Sequence, residues 1–201
     1  MRILALAVLA VFLGTTPSFG YGNEPYTSTI RIRLKGPTLR VRCRNGDCAI
    51  NITHSGTSVT VSITRTQNGV PFNFTRTVEN PTNVAIETGI GTDTVTVGDL
   101  SIPGFFRVAL GSGDDQLDLN GTSAAKKTSI DTGSGNDVVH LAPGIIGGKF
   151  RLAGHDGNDT VTVSSGLFAS KAGFDGGPGT DSLVMSAQPF TTPPAIRSFE
   201  Q

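Results

Sequence analysis

The stretch TGSGNDVVHL, residues 132–141, places two glycines, an asparagine and an aspartate in front of a short β-branched run. Glycine supplies the positive φ that tight turns need, and a β-branched run favours a strand. Residues i, i+2 and i+4 of a strand point to one face, so Asp137 shares a side with Val139 and Leu141. The stretch therefore predicts a turn followed by a strand, with the acidic side chain facing the interior.

The same pattern returns at a constant spacing of 22 residues, without an insertion. It reads TGIGTDTVT at 88–96, LGSGDDQLD at 110–118, GHDGNDTVT at 154–162 and GGPGTDSLV at 176–184. Each copy contributes one aspartate to one column and one glycine to a second column. The aspartate column is Asp93, Asp115, Asp137, Asp159 and Asp181, and the glycine column is Gly91, Gly113, Gly135, Gly157 and Gly179.

Apolar residues follow the same period in further columns, one of which continues the face of Val95: Val97, Leu119, Leu141, Val163 and Met185. A fixed period with apolar columns indicates one supersecondary unit stacked on copies of itself, and period-two alternation makes that unit a strand. Gly and Pro recur too often within each period for the rival interpretation, a helical repeat. The other columns are Val95, Leu117, Val139, Val161 and Leu183; Ile86, Val108, Ile130, Leu152 and Phe174; and Ile102, Ala124, Ile146, Phe168 and Phe190.

Composition agrees with this architecture. The chain has 201 residues, 37% of them hydrophobic, with 26 glycines, no tryptophan and a formal net charge of zero. Such a chain buries a core, and its charge balance gives no reason to expect a nucleic-acid partner. We predict an all-β protein, a parallel β-solenoid of about five coils that rise about 4.8 Å each.

The N-terminus has the pattern of an export signal. Arg2 precedes an apolar run over residues 3–13, which is too short to span a bilayer, and small residues follow near Gly20. An uncleaved anchor is the alternative. The predicted organisation is a signal peptide at 1–20, a β-rich cap at 21–83, the repeat solenoid at 84–190 and a tail at 191–201. We expect the mature protein outside the cell or on its surface, with the periplasm as a further option and no membrane span after cleavage.

The cap is predicted to consist of hairpins. Residues 28–80 contain alternating runs separated by turn signals such as Asn45-Gly46 and Ser55-Gly56. A solenoid needs such a cap because its first coil otherwise exposes an open strand edge. Basic residues outnumber acidic residues over 21–80, whereas acidic residues predominate over 81–201.

Stacked aspartates need a partner. Neighbouring carboxylates about 4.8 Å apart would repel by roughly 3 kcal/mol at an effective dielectric constant of about 20. Ca²⁺ between coils would offset this repulsion, with ligands from the aspartates and from backbone carbonyls that the glycines leave exposed. The alternative is that each aspartate accepts hydrogen bonds from backbone N–H groups of its own turn, without a metal.

The five nonapeptides resemble the G-G-x-G-x-D-x-U-x motif of the RTX, or haemolysin-type, calcium-binding repeats. The resemblance covers residues 88–184 and implies calcium-binding turns formed by the aspartate and glycine columns. Here 13 residues separate successive nonapeptides, so we expect ions on one side of the coil. The first motif glycine is replaced by Thr88, Leu110 and Thr132, and the second by His155 in the fourth copy.

The two cysteines form a smaller version of the same motif. Aligning GDCAINI at 46–52 with GTDTVTV at 91–97 puts Cys48 at the position of Asp93 and Cys43 near that of Thr88. In an exported chain this pair predicts a Cys43–Cys48 disulfide that closes the cap turn, with free thiols as the alternative.

Catalytic signals are weak, and we expect no enzymatic activity. His54, His140 and His155 are scattered, and no G-x-S-x-G or H-E-x-x-H motif occurs. A lysine column runs through residues 127, 149 and 171, beside Arg107 and Arg151. It is either a solvated face or a groove for an acidic polysaccharide, which makes an extracellular polysaccharide a candidate partner. The alternatives to a calcium-binding structural module are a calcium-dependent polysaccharide-active enzyme and a metal-free adhesive module.

Overall fold

A computed structural model describes residues 30–67, 70–186 and 189–200. The described chain is all β, and its repeats form the parallel solenoid of about five coils predicted from the 22-residue period. The described residues contain no helix of the length and hydrophobicity needed to cross a membrane. The predicted signal peptide at 1–20 lies outside the described residues.

Each of the first four coils contributes one strand to each of three sheets, which we name A, B and C, and the fifth coil reaches sheet C through a bridge between Phe168 and Phe190. Sheet A runs in the order β1-β2-β6-β9-β12-β15-β18-β20. Its strands are β1 (Ile30–Lys35), β2 (Thr38–Cys43), β6 (Asn83–Glu87), β9 (Phe106–Ser112), β12 (Thr128–Ser134), β15 (Phe150–Ala153), β18 (Ala172–Asp175) and β20 (Ala195–Arg197).

Sheet B lies directly after the glycine-aspartate turns and runs in the order β19-β16-β13-β10-β7-β3-β4-β5. Its strands are β3 (Cys48–Ser55), β4 (Ser58–Gln67), β5 (Val70–Glu79), β7 (Thr94–Gly98), β10 (Gln116–Asn120), β13 (Val138–Ala142), β16 (Thr160–Val163) and β19 (Ser182–Met185). Sheet C closes the third side with two-residue strands: β8 (Ser101–Ile102), β11 (Ser123–Ala124), β14 (Ile145–Ile146) and β17 (Leu167–Phe168).

The predicted apolar columns are confirmed as the inner faces of these sheets. Ile130 pairs in register with Val108 and Leu152 in sheet A, and Val139 pairs with Leu117 and Val161 in sheet B. Ala124 is aligned with Ile102 and Ile146 in sheet C. Each sheet therefore turns its column inward, and further buried columns lie beside them. These are Val97, Leu119, Leu141 and Val163 in sheet B, and Phe106, Thr128, Phe150 and Ala172 in sheet A.

The N-terminal cap is built from hairpins, as predicted. β1 pairs with β2, β3 with β4 and β4 with β5, all antiparallel. The cap is also continuous with the solenoid, because β2 and β3 pair in parallel with β6 and β7. Ile50 is aligned with Val95, which is the register expected from the motif-like sequence around Cys48.

The segment after residue 190 extends the solenoid. β20 pairs in parallel with β18, although the sequence pattern assigned residues 191–201 to a tail. The aspartate motif ends at Asp181, so this partial coil lacks the signal that marks the other coils.

Candidate functional site

An inner ladder of aspartates runs along the edge where the turns enter sheet B. All five side chains are buried, with 0–3% of their surface exposed: Asp93, Asp115, Asp137, Asp159 and Asp181. Asp137 immediately precedes β13 and points to the same side as the buried Val139. The parity argument from the sequence is therefore confirmed.

Glycine brings the turns close enough for this stacking. Gly91, Gly113, Gly135, Gly157 and Gly179 all have positive φ, between 123° and 146°. A methyl group on Gly113 would overlap the carbonyl oxygen of Gly91 in the preceding coil. The third motif glycine therefore allows both the backbone conformation and the contact between coils.

One oxygen of each inner aspartate is bonded between coils. The N–H of Asp93 donates to Asp115 Oδ1 at 2.8 Å, and the N–H of Asp115 donates to Asp137 Oδ1 at 2.8 Å. The same bond joins Asp137 to Asp159 at 2.9 Å and Asp159 to Asp181 at 2.8 Å. The backbone partner of each Oδ1 is therefore in the preceding coil. Asp93 Oδ2 also accepts the N–H of Gly89 in its own turn at 3.4 Å, as the metal-free alternative expected.

Different residues close the two ends of the inner ladder. At the N-terminal end the N–H of Cys48 donates to Asp93 Oδ1 at 2.8 Å. Cys48 is joined to Cys43 by the predicted disulfide, and both residues are buried. At the other end the N–H of Asp181 donates to the carboxylate of Glu200. Sequence reasoning missed Glu200, because it is a different acid and lies 19 residues after Asp181.

A second, outer ladder runs beside the first in the opposite direction. The N–H of Asn136 donates to Asp114 Oδ1 at 2.7 Å, and the N–H of Asn158 donates to Asn136 Oδ1 at 2.9 Å. Asn158 in turn accepts from the N–H of Thr180 at 2.8 Å. Each acceptor thus serves the following coil, whereas each inner aspartate serves the preceding one. The Asx residue before the motif aspartate was the available sequence signal for this ladder.

The second oxygen of the inner aspartates is the unusual feature of the site. Oδ2 is buried and forms no hydrogen bond in Asp115, Asp137, Asp159 and Asp181. A buried polar atom without a partner is costly, and more so when it carries charge. What each Oδ2 faces depends on the residue five positions earlier, which is the first residue of the repeat. This residue is Thr88, Leu110, Thr132, Gly154 or Gly176.

Threonine fills the turn with a hydroxyl group. Thr132 Oγ1 donates to the carbonyl oxygen of Gly154 in the next coil at 3.0 Å, and Thr88 Oγ1 donates likewise to the carbonyl of Leu110. Burial raises the pKa of both Asp137 and Asp93, and the nearby threonine hydroxyl and the inter-coil N–H oppose this shift in each case.

Leucine fills the turn without offering a polar group. Leu110 is completely buried, and Oδ2 of Asp115 has no partner. Burial raises the pKa of Asp115 to about 7, against the N–H of Asp93, while the charges of Asp93 and Asp137 add to the increase. This carboxyl group therefore holds a proton over much of the range below neutral pH.

Glycine puts no side chain into the turn, and two oxygens lie where the side chain would begin. A methyl group on Gly154 would overlap both Asp159 Oδ2 and the carbonyl oxygen of Gly176 in the next coil. The same is true at Gly176, where a methyl group would overlap Asp181 Oδ2 and the carbonyl oxygen of Ser198. We name these two places the glycine turns, and those of Thr88, Leu110 and Thr132 the filled turns. Burial raises the pKa of Asp159 to about 6.

The glycine turns have the donor chemistry of a hard-cation site. A carboxylate oxygen and a carbonyl oxygen are the ligands that Ca²⁺ takes, and the carboxylate oxygen is otherwise unpartnered. Within the described residues no group of three or more His, Cys, Asp or Glu side chains is arranged to hold a metal. Further ligands would have to be carbonyl oxygens or water, so the residues fit a weak cation site.

Comparison with known proteins assigns no family: no family model, no curated protein and no solved structure matches this chain.

Proposed function

We propose that the protein is an exported, non-enzymatic β-solenoid that binds Ca²⁺ at its two glycine turns. The observation that carries this proposal is the convergence of an unpartnered carboxylate oxygen with a carbonyl of the next coil, at Gly154 and again at Gly176. In the filled turns a threonine or leucine side chain takes the corresponding space. The proposal therefore narrows the five positions predicted from the motif to the turns of Asp159 and Asp181.

The ligand chemistry favours calcium over other cations. Ca²⁺ accepts six to eight oxygen ligands in flexible geometry and tolerates backbone carbonyls, whereas Mg²⁺ requires a near-ideal octahedron. A turn that contributes one carboxylate oxygen corresponds to a low-affinity site, with a Kd of about 10⁻⁴ to 10⁻³ M. Such affinities suit proteins that work outside the cell. The Cys43–Cys48 disulfide supports export, because disulfides persist in oxidising compartments.

The proposed role of the ion is structural. A cation at a glycine turn would neutralise a buried carboxylate and join two successive coils. Because the unfolded chain lacks this arrangement, binding would add to the stability of the folded state. A non-enzymatic role is supported by the separation of the histidines, since His54 lies in β3, His140 in β13 and His155 in a turn.

Calorimetric titration with Ca²⁺ tests this proposal. The wild type should bind calcium with a Kd of about 10⁻⁴ to 10⁻³ M, and Asp159→Asn combined with Asp181→Asn should remove that binding. The matched control is Asp93→Asn with Asp115→Asn, which makes the same change in two filled turns and should retain it. Circular dichroism checks that both variants are folded.

Two results would contradict the proposal. Equal loss in both double variants would mean that the glycine turns are not special. No calcium binding by the folded wild type would identify a metal-free module instead.

A further inference from the structure

The outer face of sheet A is strongly basic, and nothing in the ladder chemistry accounts for it. Most of the 16 Lys and Arg residues in the chain lie on this face, which also carries the acids Glu87, Asp131 and Asp175. We name it the basic face. Its cations are Arg31, Arg33, Lys35, Arg40, Arg42, Arg107, Lys127, Lys149, Arg151, Lys171 and Arg197.

The strand register arranges the arginines in a row along the solenoid axis. Arg33 is directly opposite Arg40, which is aligned through Ala85 with Arg107. The same row continues through Ser129 to Arg151 and then to the small residues Gly173 and Ala195. No acidic residue occurs in this row.

The lysines form a second row beside the arginines. Lys127, Lys149 and Lys171 immediately precede β12, β15 and β18, and all three side chains are exposed. Because the strands pair in register, these lysines recur once per coil, about 4.8 Å apart. The two rows thus present positive charge at regular intervals along one direction.

Two of the three acids on this face already have partners. Glu87 forms ion pairs with Arg42 at 2.7 Å and with Arg44 at 3.3 Å, and Asp131 contacts His155 at 3.2 Å. Within the described residues no ion pair involves Arg33, Arg40 or any of the three lysines. Like charges directly opposite each other, such as Arg33 and Arg40, destabilise a sheet. The cost of this arrangement would be offset by a bound polyanion.

Shallow clefts at both ends show where an anionic chain would be held. One cleft lies between Lys149, Arg151, Lys171 and Arg197, above the small residues of β18 and β20. The other lies on the β1–β2 hairpin and is lined by Arg31, Arg33, Lys35, Arg40 and Arg42. Sheet A as a whole, including both clefts, spans eight strands, about 34 Å at the usual strand spacing.

We propose that the basic face binds an extended acidic polysaccharide that runs along the solenoid axis, across the strands. A polyuronate such as polygalacturonate carries one carboxylate on each sugar residue, and one sugar residue is about as long as the spacing between strands, so successive sugar residues would meet successive coils. The polysaccharide would lie on a straight face that carries positive charge along the solenoid axis. This inference uses the outside of sheet A and is independent of cation binding at the glycine turns.

Other polyanions fit the face less well. Proteins that bind single-stranded nucleic acid provide several aromatic platforms for the bases. Among the described residues the lysine column contains one aromatic side chain, Phe105, which immediately precedes β9 and lies 22 residues before Lys127. Duplex DNA turns its phosphates around a helix axis, so a straight face would follow only a short part of each strand. An anionic membrane would require no linear arrangement of the cations.

The test measures binding of polygalacturonate oligosaccharides to the full exported chain by calorimetry, in buffer without divalent cations. Binding should weaken about ten-fold in the triple variant Lys149→Gln, Arg151→Gln and Lys171→Gln, because each exposed charge contributes modestly to the binding free energy. The matched control is Ala49→Glu, Gln116→Glu and Thr160→Glu, which lowers the net charge by the same three units on the exposed outer face of sheet B and should change Kd less than about two-fold. Binding should also weaken as salt is raised.

A charge-conserving variant and two other polyanions complete the binding experiment. Lys149→Arg with Lys171→Arg should retain binding, since the charge is kept. Equal weakening in both triple variants would overturn the proposal, because it would indicate a net-charge effect. The proposal is equally overturned if folded protein fails to bind the oligosaccharide, or if it binds duplex DNA or phosphatidylserine vesicles more tightly than the oligosaccharide. These results leave the calcium proposal untouched, because the assay contains no calcium.

Discussion

The glycine turns and the filled turns contain the same aspartate and the same inter-coil hydrogen bond, and yet they differ in chemistry. Asp115 accepts the N–H of Asp93, and Asp159 accepts the N–H of Asp137. The difference lies in the residue five positions earlier, which is Leu110 in one turn and Gly154 in the other. The motif aspartate forms the ladder. The residue five positions earlier determines whether Oδ2 of that aspartate faces an apolar side chain or another oxygen.

The largest expected effect is a loss of stability with rising pH in cation-free buffer. The folded-state pKa of Asp115 is raised from 3.8 to about 7, so its contribution to stability is complete below about pH 4 and is lost as pH rises through about 7. The corresponding change in the free energy of unfolding is on the order of 3–4 kcal/mol. Denaturant titrations from pH 4 to pH 8 measure it.

Asp115→Asn is the control for this pH dependence. An asparagine still accepts the N–H of Asp93 and cannot ionise, so the variant should lose less stability over the same range, and its remaining loss should come from the other buried aspartates, such as Asp159. A pH profile identical to that of the wild type would mean that Asp115 is not the titrating group of the filled turn.

A smaller effect is expected from closing a glycine turn. Gly154→Ala puts a methyl group against Asp159 Oδ2 and the backbone of the next coil, and overpacking of this kind costs about 1–3 kcal/mol. Gly98→Ala is the matched control, since a methyl group there meets nothing within 4 Å. Chemical denaturation of both variants measures the difference. Equal stabilities would show that the space in front of Gly154 is not confined.

The sequence predicts the fold of this protein more completely than it predicts the hydrogen bonds of the site. The 22-residue period and the parity of Asp137 with Val139 were enough to predict the solenoid, the inward aspartates and the Cys48 register. The direction of the hydrogen bonds could not be predicted, because it depends on how successive coils are offset. Glu200 closes the ladder from a partial coil that carries no motif, so periodicity could not find it.

The smallest expected effect is the creation of a glycine turn from a filled one. Thr132→Gly removes the hydroxyl that donates to Gly154 O, and should leave that carbonyl and Asp137 Oδ2 facing an open space. We expect the variant to gain an additional calcium-dependent rise in melting temperature of about 2–4 °C, equivalent to about 1 kcal/mol. Thr132→Ser keeps the hydroxyl and should show only the wild-type response. The same response in both variants would argue against the role assigned to this position.

The most direct test of the difference between the two kinds of turn is to locate bound ions. Anomalous diffraction from crystals soaked with Tb³⁺, a hard cation that takes the place of Ca²⁺, gives their positions without reference to stability. The account predicts peaks beside Asp159 and Asp181, at the turns of Gly154 and Gly176, and none beside Asp115 at the turn of Leu110. A peak of equal height at every aspartate, or a peak at Asp115 alone, would contradict it.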